Sequence, residues 1–332
     1  MGLVFGILAT LGYTLAGIIL RDLADDTDPY WVSCIKAIPT LVLALWLLGQ
    51  RRKRSAEPIQ FPLKLLPLLL GIGVIVQIGG NAGSQWAFEV VGLAITIPLM
   101  FGTLIVSSAL FGVMMFGERL TRRTVIAVVL LTLAVSVLSL AARSEEQAIT
   151  NPEGEPSQQV AMTAEPTDVT GDAATATTSL AVLGVIVACL SGVAYAISHA
   201  AIRRYTSPEI PLSVPLAIFS IAGIVVLGGF AFSRLGWEGI VGTTANQWWR
   251  LWAAGLVNAL AYFSLGRAIQ ALPLVQVNII TASQVALNAV AGILIFAEPL
   301  SAALIVGVSL TMAGLLVQGK RKKAKPPSQE GV

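Results

Sequence analysis

The chain has 332 residues, of which 55% are apolar and 12% charged, with a net charge of +3. A soluble domain carries roughly 25% charged residues, so this composition excludes a disordered chain, a coiled coil and an ordinary soluble enzyme. The two cysteines, Cys34 and Cys189, each sit in an apolar run without a CxxC. That supports neither a disulfide framework nor a zinc site, and no metal or cofactor is expected.

One membrane-spanning helix needs about 20 mostly apolar residues. In chain order the apolar runs fall at 3–20, 30–49, 63–84, 93–116, 122–142, 180–202, 211–233, 248–270, 274–296 and 301–318. They are far too long for strands. The expectation is an all-α integral membrane protein with ten transmembrane helices. The first run begins at Leu3 with no basic segment before it, which reads as a retained helix and not a cleaved signal peptide. Between the fifth and sixth runs, 143–179 is rich in Glu, Asp, Pro, Thr and Gln. Such a stretch buries too little to fold alone and reads as a disordered acidic linker. The expected organisation is a five-helix unit over 1–142, the linker, a second five-helix unit over 180–319, and a basic tail over 320–332.

Lys and Arg in the loops set orientation. With the N-terminus cytoplasmic, the inside receives Arg51, Arg52, Lys53, Arg54, Lys64, Arg119, Arg122, Arg123, Arg203, Arg204, Arg267, Lys320, Arg321, Lys322, Lys323 and Lys325. The outside receives only Arg21, Arg143, Arg234 and Arg250. The bias of 16 to 4 puts both termini in the cytoplasm and the linker outside a plasma membrane. The basic tail, beside a final span, reads as a topology anchor that meets anionic lipid and not as a nucleic-acid patch.

The second half echoes the first. Phe116-Gly117-Glu118-Arg119-Leu120-Thr121 aligns with Phe296-Ala297-Glu298-Pro299-Leu300-Ser301. Gln77 aligns with Asn258, and Gly12-Tyr13 loosely with Ala194-Tyr195. An odd number of spans per copy makes the two copies point in opposite directions, the inverted repeat of many secondary transporters, whose substrate site lies near the midplane. Two five-helix repeats, each closing its fourth helix with Phe-Gly/Ala-Glu-X-Leu-Thr/Ser, resemble the EamA repeats of the drug/metabolite transporter superfamily. The resemblance implies a ten-helix carrier with cytoplasmic termini in which helices one, three, four, six, eight and nine line a central cavity. Two features depart from the family pattern: small residues and Gln284 stand where a mid-helix proline is common, and the linker is long.

Polar groups inside spans are candidates for function. Glu118 and Glu298 lie just before the next helix, with Thr121 and Ser301 at its expected N-cap. Capping of the helical hairpin competes there with gating or proton coupling. Lys36 is the only Lys or Arg well inside a span. Either its stem snorkels to the outer interface, or it binds an anion or pairs at the outer mouth of the cavity; the resemblance favours the second, because a basic residue is common in the family's second helix. Gln77, Asn81 and Ser84 share one helical face, as do Asn258 and Tyr262, and Asn278, Thr281, Gln284 and Asn288. A wet cavity explains these stripes better than helix packing. Tyr13 and Tyr195 either face the same space or sit at helix contacts. His199, the only histidine, lies near the cytoplasmic end of the sixth span, where an interfacial group is favoured over a proton relay.

No acid/base pair, HExxH, Ser/His/Asp set or phosphate-binding glycine loop is present. The chain therefore reads as a secondary transporter, not an enzyme, moving a small polar or amphipathic metabolite. The resemblance favours export over uptake. The competing readings are an uptake permease, an integral-membrane enzyme on lipid-type substrates, and a non-transporting scaffold. Expected partners are the small-molecule substrate and the lipid bilayer, with a proton as the possible coupling ion and no nucleic acid, in a monomer or homodimer.

Overall fold

Backbone groups in hydrocarbon must bond within their own segment, which long apolar runs achieve as helices. In the computed structural model, residues 2–54, 61–116, parts of 122–138, 170–207, 209–271, 274–298 and 300–319 are described. Every regular element among them is helical. The helices are α1 (Gly2–Ala24), α2 (Pro29–Arg54), α3 (Leu66–Ile75), a π-helical turn (Val76–Ala82), α4 (Gly83–Phe116), α5 (Thr170–Tyr205), α6 (Ser213–Val241), α7 (Ala245–Ala271), α8 (Leu274–Phe296) and α9 (Ala302–Gly319). The described parts of 122–138 are helical as well.

Among the described residues, five stretches are apolar and long enough to cross a membrane: Gly2–Ala24, Pro29–Lys53, Leu63–Met115, Leu180–Ile202 and Ser213–Val241. Shorter apolar helices cover Ser283–Phe296 and Ala302–Gly314. Leu63–Met115, at 53 residues, holds more than two crossings' worth of helix. It contains the predicted third and fourth spans, and the sequence gap between them is not a loop. α4 runs through it with a single break at Gly92 (φ 73°, ψ 174°), a conformation that glycine alone adopts without strain.

Two boundaries differ from the sequence reading. Helix α5 starts at Thr170, so the last ten residues of the expected disordered linker are helical; three alanines at 173, 174 and 176, strong helix formers, extend the apolar span backwards. Helix α6 runs on to Val241 across a second break at Gly236. Residues 143–169 of the linker and the tail 320–332 lie outside the described residues.

Helices from the first half pack mainly on helices from the second. α1 lies against α7 and α8, α2 against α6 and α7, α4 against α5 and α8, and α3 with the π turn against α5 and α6. Lipid is as apolar as leucine, so association depends on close packing and interhelical hydrogen bonds. Small residues supply the closeness. A Cβ on Gly12 would stand 2.9 Å from Cβ of Ala261, and one on Gly73 would stand 3.0 Å from Cβ of Ala222. The outward stripe of α1 (Leu3, Val4, Ile7, Leu8, Leu11, Leu15) is exposed, as a lipid-facing surface is.

Candidate substrate site

The π turn holds Gln77 and Asn81, and such turns recur at functional sites. The Asn81 amide donates to Gln77 Oε1 at 2.8 Å, and Tyr195 of α5 donates its hydroxyl to Asn81 Oδ1 at 3.0 Å. The Tyr195 ring seats on Gly80, where a Cβ would be 3.3 Å from it. Gln77 Nε2 continues the chain to the Phe219 carbonyl of α6 at 2.7 Å. The stripe therefore does two things. Asn81 is half-buried and faces the other half through Tyr195. Gln77 is 5% exposed and ties the π turn to α6 as an interhelical bridge, where the sequence reading expected a wet wall. Ser84 donates to the Asn81 carbonyl at 3.1 Å and also stands within hydrogen-bond range of the Tyr195 hydroxyl.

On α7 the exposed side chains Trp249, Trp252, Leu256 and Leu260 mark one outward stripe. Asn258 and Tyr262 lie opposite it by helical periodicity and are nevertheless half-exposed. Tyr13 of α1 is likewise half-buried and away from the lipid stripe of its helix; its hydroxyl lies within electrostatic range of those of Tyr262 and Tyr195. Three tyrosines thus come near one another, Asn81 is bonded to one of them, and Asn258 shares the inward face of α7 with Tyr262.

His199 lies on the same helix as Tyr195. Leu183, Ile186 and Leu190 form the lipid stripe of α5. His199 follows Leu190 by about two and a half turns, which turns it to the opposite side. It shares the face of Tyr195 one turn earlier, and it is exposed. Its relation to the outward stripe was readable in the sequence.

Helix α8 behaves differently. Gln284 and Asn288 are buried, and Asn288 is 0% exposed. A Cβ on Gly17 would stand 3.0 Å from Asn288 Oδ1, so this stripe packs against α1 and does not line open space in this conformation. Asn288 Nδ2 donates to the Gln284 carbonyl of its own helix, while Oδ1 has no hydrogen-bond partner. Thr281 is half-buried. The side chain of Asn278, and Glu118 and Thr121, lie outside the described residues.

Glu298 reaches further than expected. Ser301 Oγ accepts from the Leu304 N–H at 3.1 Å, which is the local cap. The Glu298 carboxylate instead crosses to the first half. Oε1 accepts from the Leu93 N–H at 2.6 Å and Oε2 from the Ala94 N–H at 2.8 Å, where α4 restarts after Gly92. A negative charge at a helix start is favourable. A Cβ on Gly92 would come within 2.6 Å of Oε1, and one on Gly292 would overlap Oε2. Ala297 has φ +53°, and the Glu298 N–H turns back to the Gly292 carbonyl at 3.1 Å. The motif thus has distinct parts: Phe296 under the Arg21 guanidinium at 5.4 Å, a left-handed residue that ends the helix, and a carboxylate aimed across the halves.

Around this end lies an ionic seal. Arg21 pairs with Asp25 at 2.6 Å and with Glu298 at 3.4 Å. Arg234 pairs with Asp28 at 2.9 Å, and Arg250 with Asp22 at 2.8 Å and Asp26 at 2.7 Å. Apart from Arg21–Asp25, each pair joins the 21–28 region to the second half. A cavity of about 460 Å³ opens beside it, lined among others by Asp25, Asp28, Tyr30, Trp86, Glu89 and Arg234. None of the sequence-predicted site residues lines it.

Membrane-length apolar helices packed half against half, around buried polar side chains, define a multi-span α-helical membrane protein. Residues 182–318 match the EamA-like transporter family. That part of the chain is similar to the members of this transporter family. Among curated proteins none matches. One solved structure, titled only "Crystal structure of protein", is similar over 95% of this chain and 95% of its own, at a TM-score of 0.54 and 17% identity. That likeness concerns the fold alone.

Proposed function

We propose that the protein is a secondary transporter that exports a small polar or amphipathic metabolite across the plasma membrane by alternating access. Two inverted five-helix halves rock about a site formed by Tyr13, Asn81, Tyr195, Asn258 and Tyr262. The observation that carries this reading is the Tyr195–Asn81 hydrogen bond between the halves, set among half-exposed polar side chains on inward helix faces. The contact pattern supports a two-fold relation between the halves. Exchanging each first-half helix for its second-half counterpart turns the α1–α7 contact into that of the π turn with α5, and α1–α8 into α4–α5. The α2–α6 and α4–α8 contacts map onto themselves. The charge bias supports cytoplasmic termini, and on that reading the ionic seal closes the outer side, as one state of an alternating carrier requires.

The test is a metabolite panel screened for thermal stabilisation of the purified chain, followed by flux of each stabilising compound in proteoliposomes. The expected result is that at least one compound both stabilises and crosses. Asn258→Leu and Tyr262→Phe should cut its flux per folded molecule by tenfold or more, in the range of one lost polar contact, about 1.4 kcal/mol. Wild-type flux from both variants overturns the site.

A further inference from the structure

A lysine at hydrocarbon depth needs a counter-charge or water. Lys36 of α2 is 5% exposed, so its ammonium does not rest in outer water as a snorkelling head does. No described residue forms an ion pair or hydrogen bond with its side chain. The acids of the outer seal are already matched: Asp25 and Glu298 by Arg21, Asp28 by Arg234, Asp22 and Asp26 by Arg250.

Beside it stands a second unsatisfied group. Ser33, one turn earlier on the same face, is completely buried, and its hydroxyl has no partner. Gly255 of α7 brings the two backbones together there: a Cβ on it would lie 3.2 Å from Cα of Lys36 and 2.9 Å from Cγ of Pro39. Asn258 follows Gly255 by one turn and so comes in beside the same stretch of α2. One ammonium, one hydroxyl and one carboxamide can each donate, and no acid stands among them to balance the charge. A buried cation without its partner is costly, and a bound negative charge removes that cost.

We propose that the substrate is an organic anion, its carboxylate held by Lys36 with Ser33 as second donor and its uncharged part directed towards Tyr13, Tyr195 and Tyr262. The proposal rests on the transporter reading above. A lone ammonium is a point charge without the planar fork that grips phosphate, which suits a single carboxylate.

The test uses the full-length chain in detergent and in vesicles, with three probe pairs: benzoate and benzamide, lactate and lactamide, succinate and succinamide. Without any probe, Lys36→Met should melt higher than wild type, because an unpaired buried charge has been replaced by an apolar side chain of similar length. At saturation at least one carboxylate should raise the wild-type midpoint by about 2 °C or more, while its amide does not. Lys36→Arg should keep the shift, Lys36→Met should abolish it, and Ser33→Ala should weaken the binding severalfold. A lower probe-free midpoint for Lys36→Met, equal stabilisation by amide and carboxylate, or no shift from any carboxylate overturns the proposal. Flux in vesicles separates the two readings. Binding of a carboxylate without flux refutes the transporter and leaves the anion site standing. Lys36-independent flux of an amide refutes the anion site and leaves the transporter.

Discussion

Replacing Glu298 by Gln removes the charge from a group that holds two backbone N–H donors of the opposite half. The carboxylate meets Leu93 and Ala94 at 2.6 and 2.8 Å, and the side chain is only 11% exposed. A glutamine keeps one acceptor oxygen and turns an NH2 group towards the other donor, so one charge-assisted bond is lost. Such a bond contributes about 1.5–3 kcal/mol, which is a roughly 10- to 150-fold change in an equilibrium. If the outer side opens by parting the halves, that factor moves the closed state towards the open one. The assay is labelling from outside by a membrane-impermeant maleimide of Ser33→Cys, in a Cys34→Ala, Cys189→Ser background. Ser33 is completely buried, so its labelling rate reports outer opening, and Glu298→Gln should raise that rate by tenfold or more. An unchanged rate in a variant with a lowered melting midpoint would refute the reasoning: the bonds would then stabilise the fold without controlling access.

Three further outcomes are expected. Ala297→Gly should raise stability by about 0.5–1 kcal/mol in thermal unfolding, because φ +53° costs an L-residue roughly 1–2 kcal/mol that glycine largely avoids; a drop would mean that the left-handed turn is not populated. Gly223→Ala should lower stability by about 1–3 kcal/mol, since the new methyl would stand 2.6 Å from Gln77 Cδ and push Gln77 off the Phe219 carbonyl; unaltered melting would show that this bridge is dispensable. A single cysteine at Thr167 should label from outside intact cells, as the 16-to-4 charge bias requires, and labelling only after membrane rupture would end the inverted arrangement.

The sequence made the helical class and the places of the apolar runs legible, because bilayer depth leaves few alternatives. Helical periodicity put Asn258 and Tyr262 on one face and Gln77 with Asn81 on another, and the repeat singled out Tyr13 and Tyr195; these residues remain the proposed site. Three things were out of reach. The π turn at Val76–Ala82 shifts local register, so the Gln77 stripe divides into a packed end and an open end. The partner of Glu298 lies 205 residues away, a pairing that no local pattern encodes. The α8 stripe kept a regular spacing, yet the closeness of α1 at Gly17 buried it; periodicity gives a face, not what stands opposite.

The Gly92 break has a consequence for synthesis. Two N–H groups of the interrupted α4 find their acceptor on Glu298, which the ribosome adds some 205 residues later. At 5–20 residues per second that is roughly 10–40 s. For that time the N-terminal half sits in the membrane with a helix start whose Leu93 and Ala94 N–H groups lack the carboxylate that later accepts from them. A truncated N-terminal half should therefore be a substrate for quality-control proteolysis at this point, and supplying the C-terminal half as a separate chain should protect it.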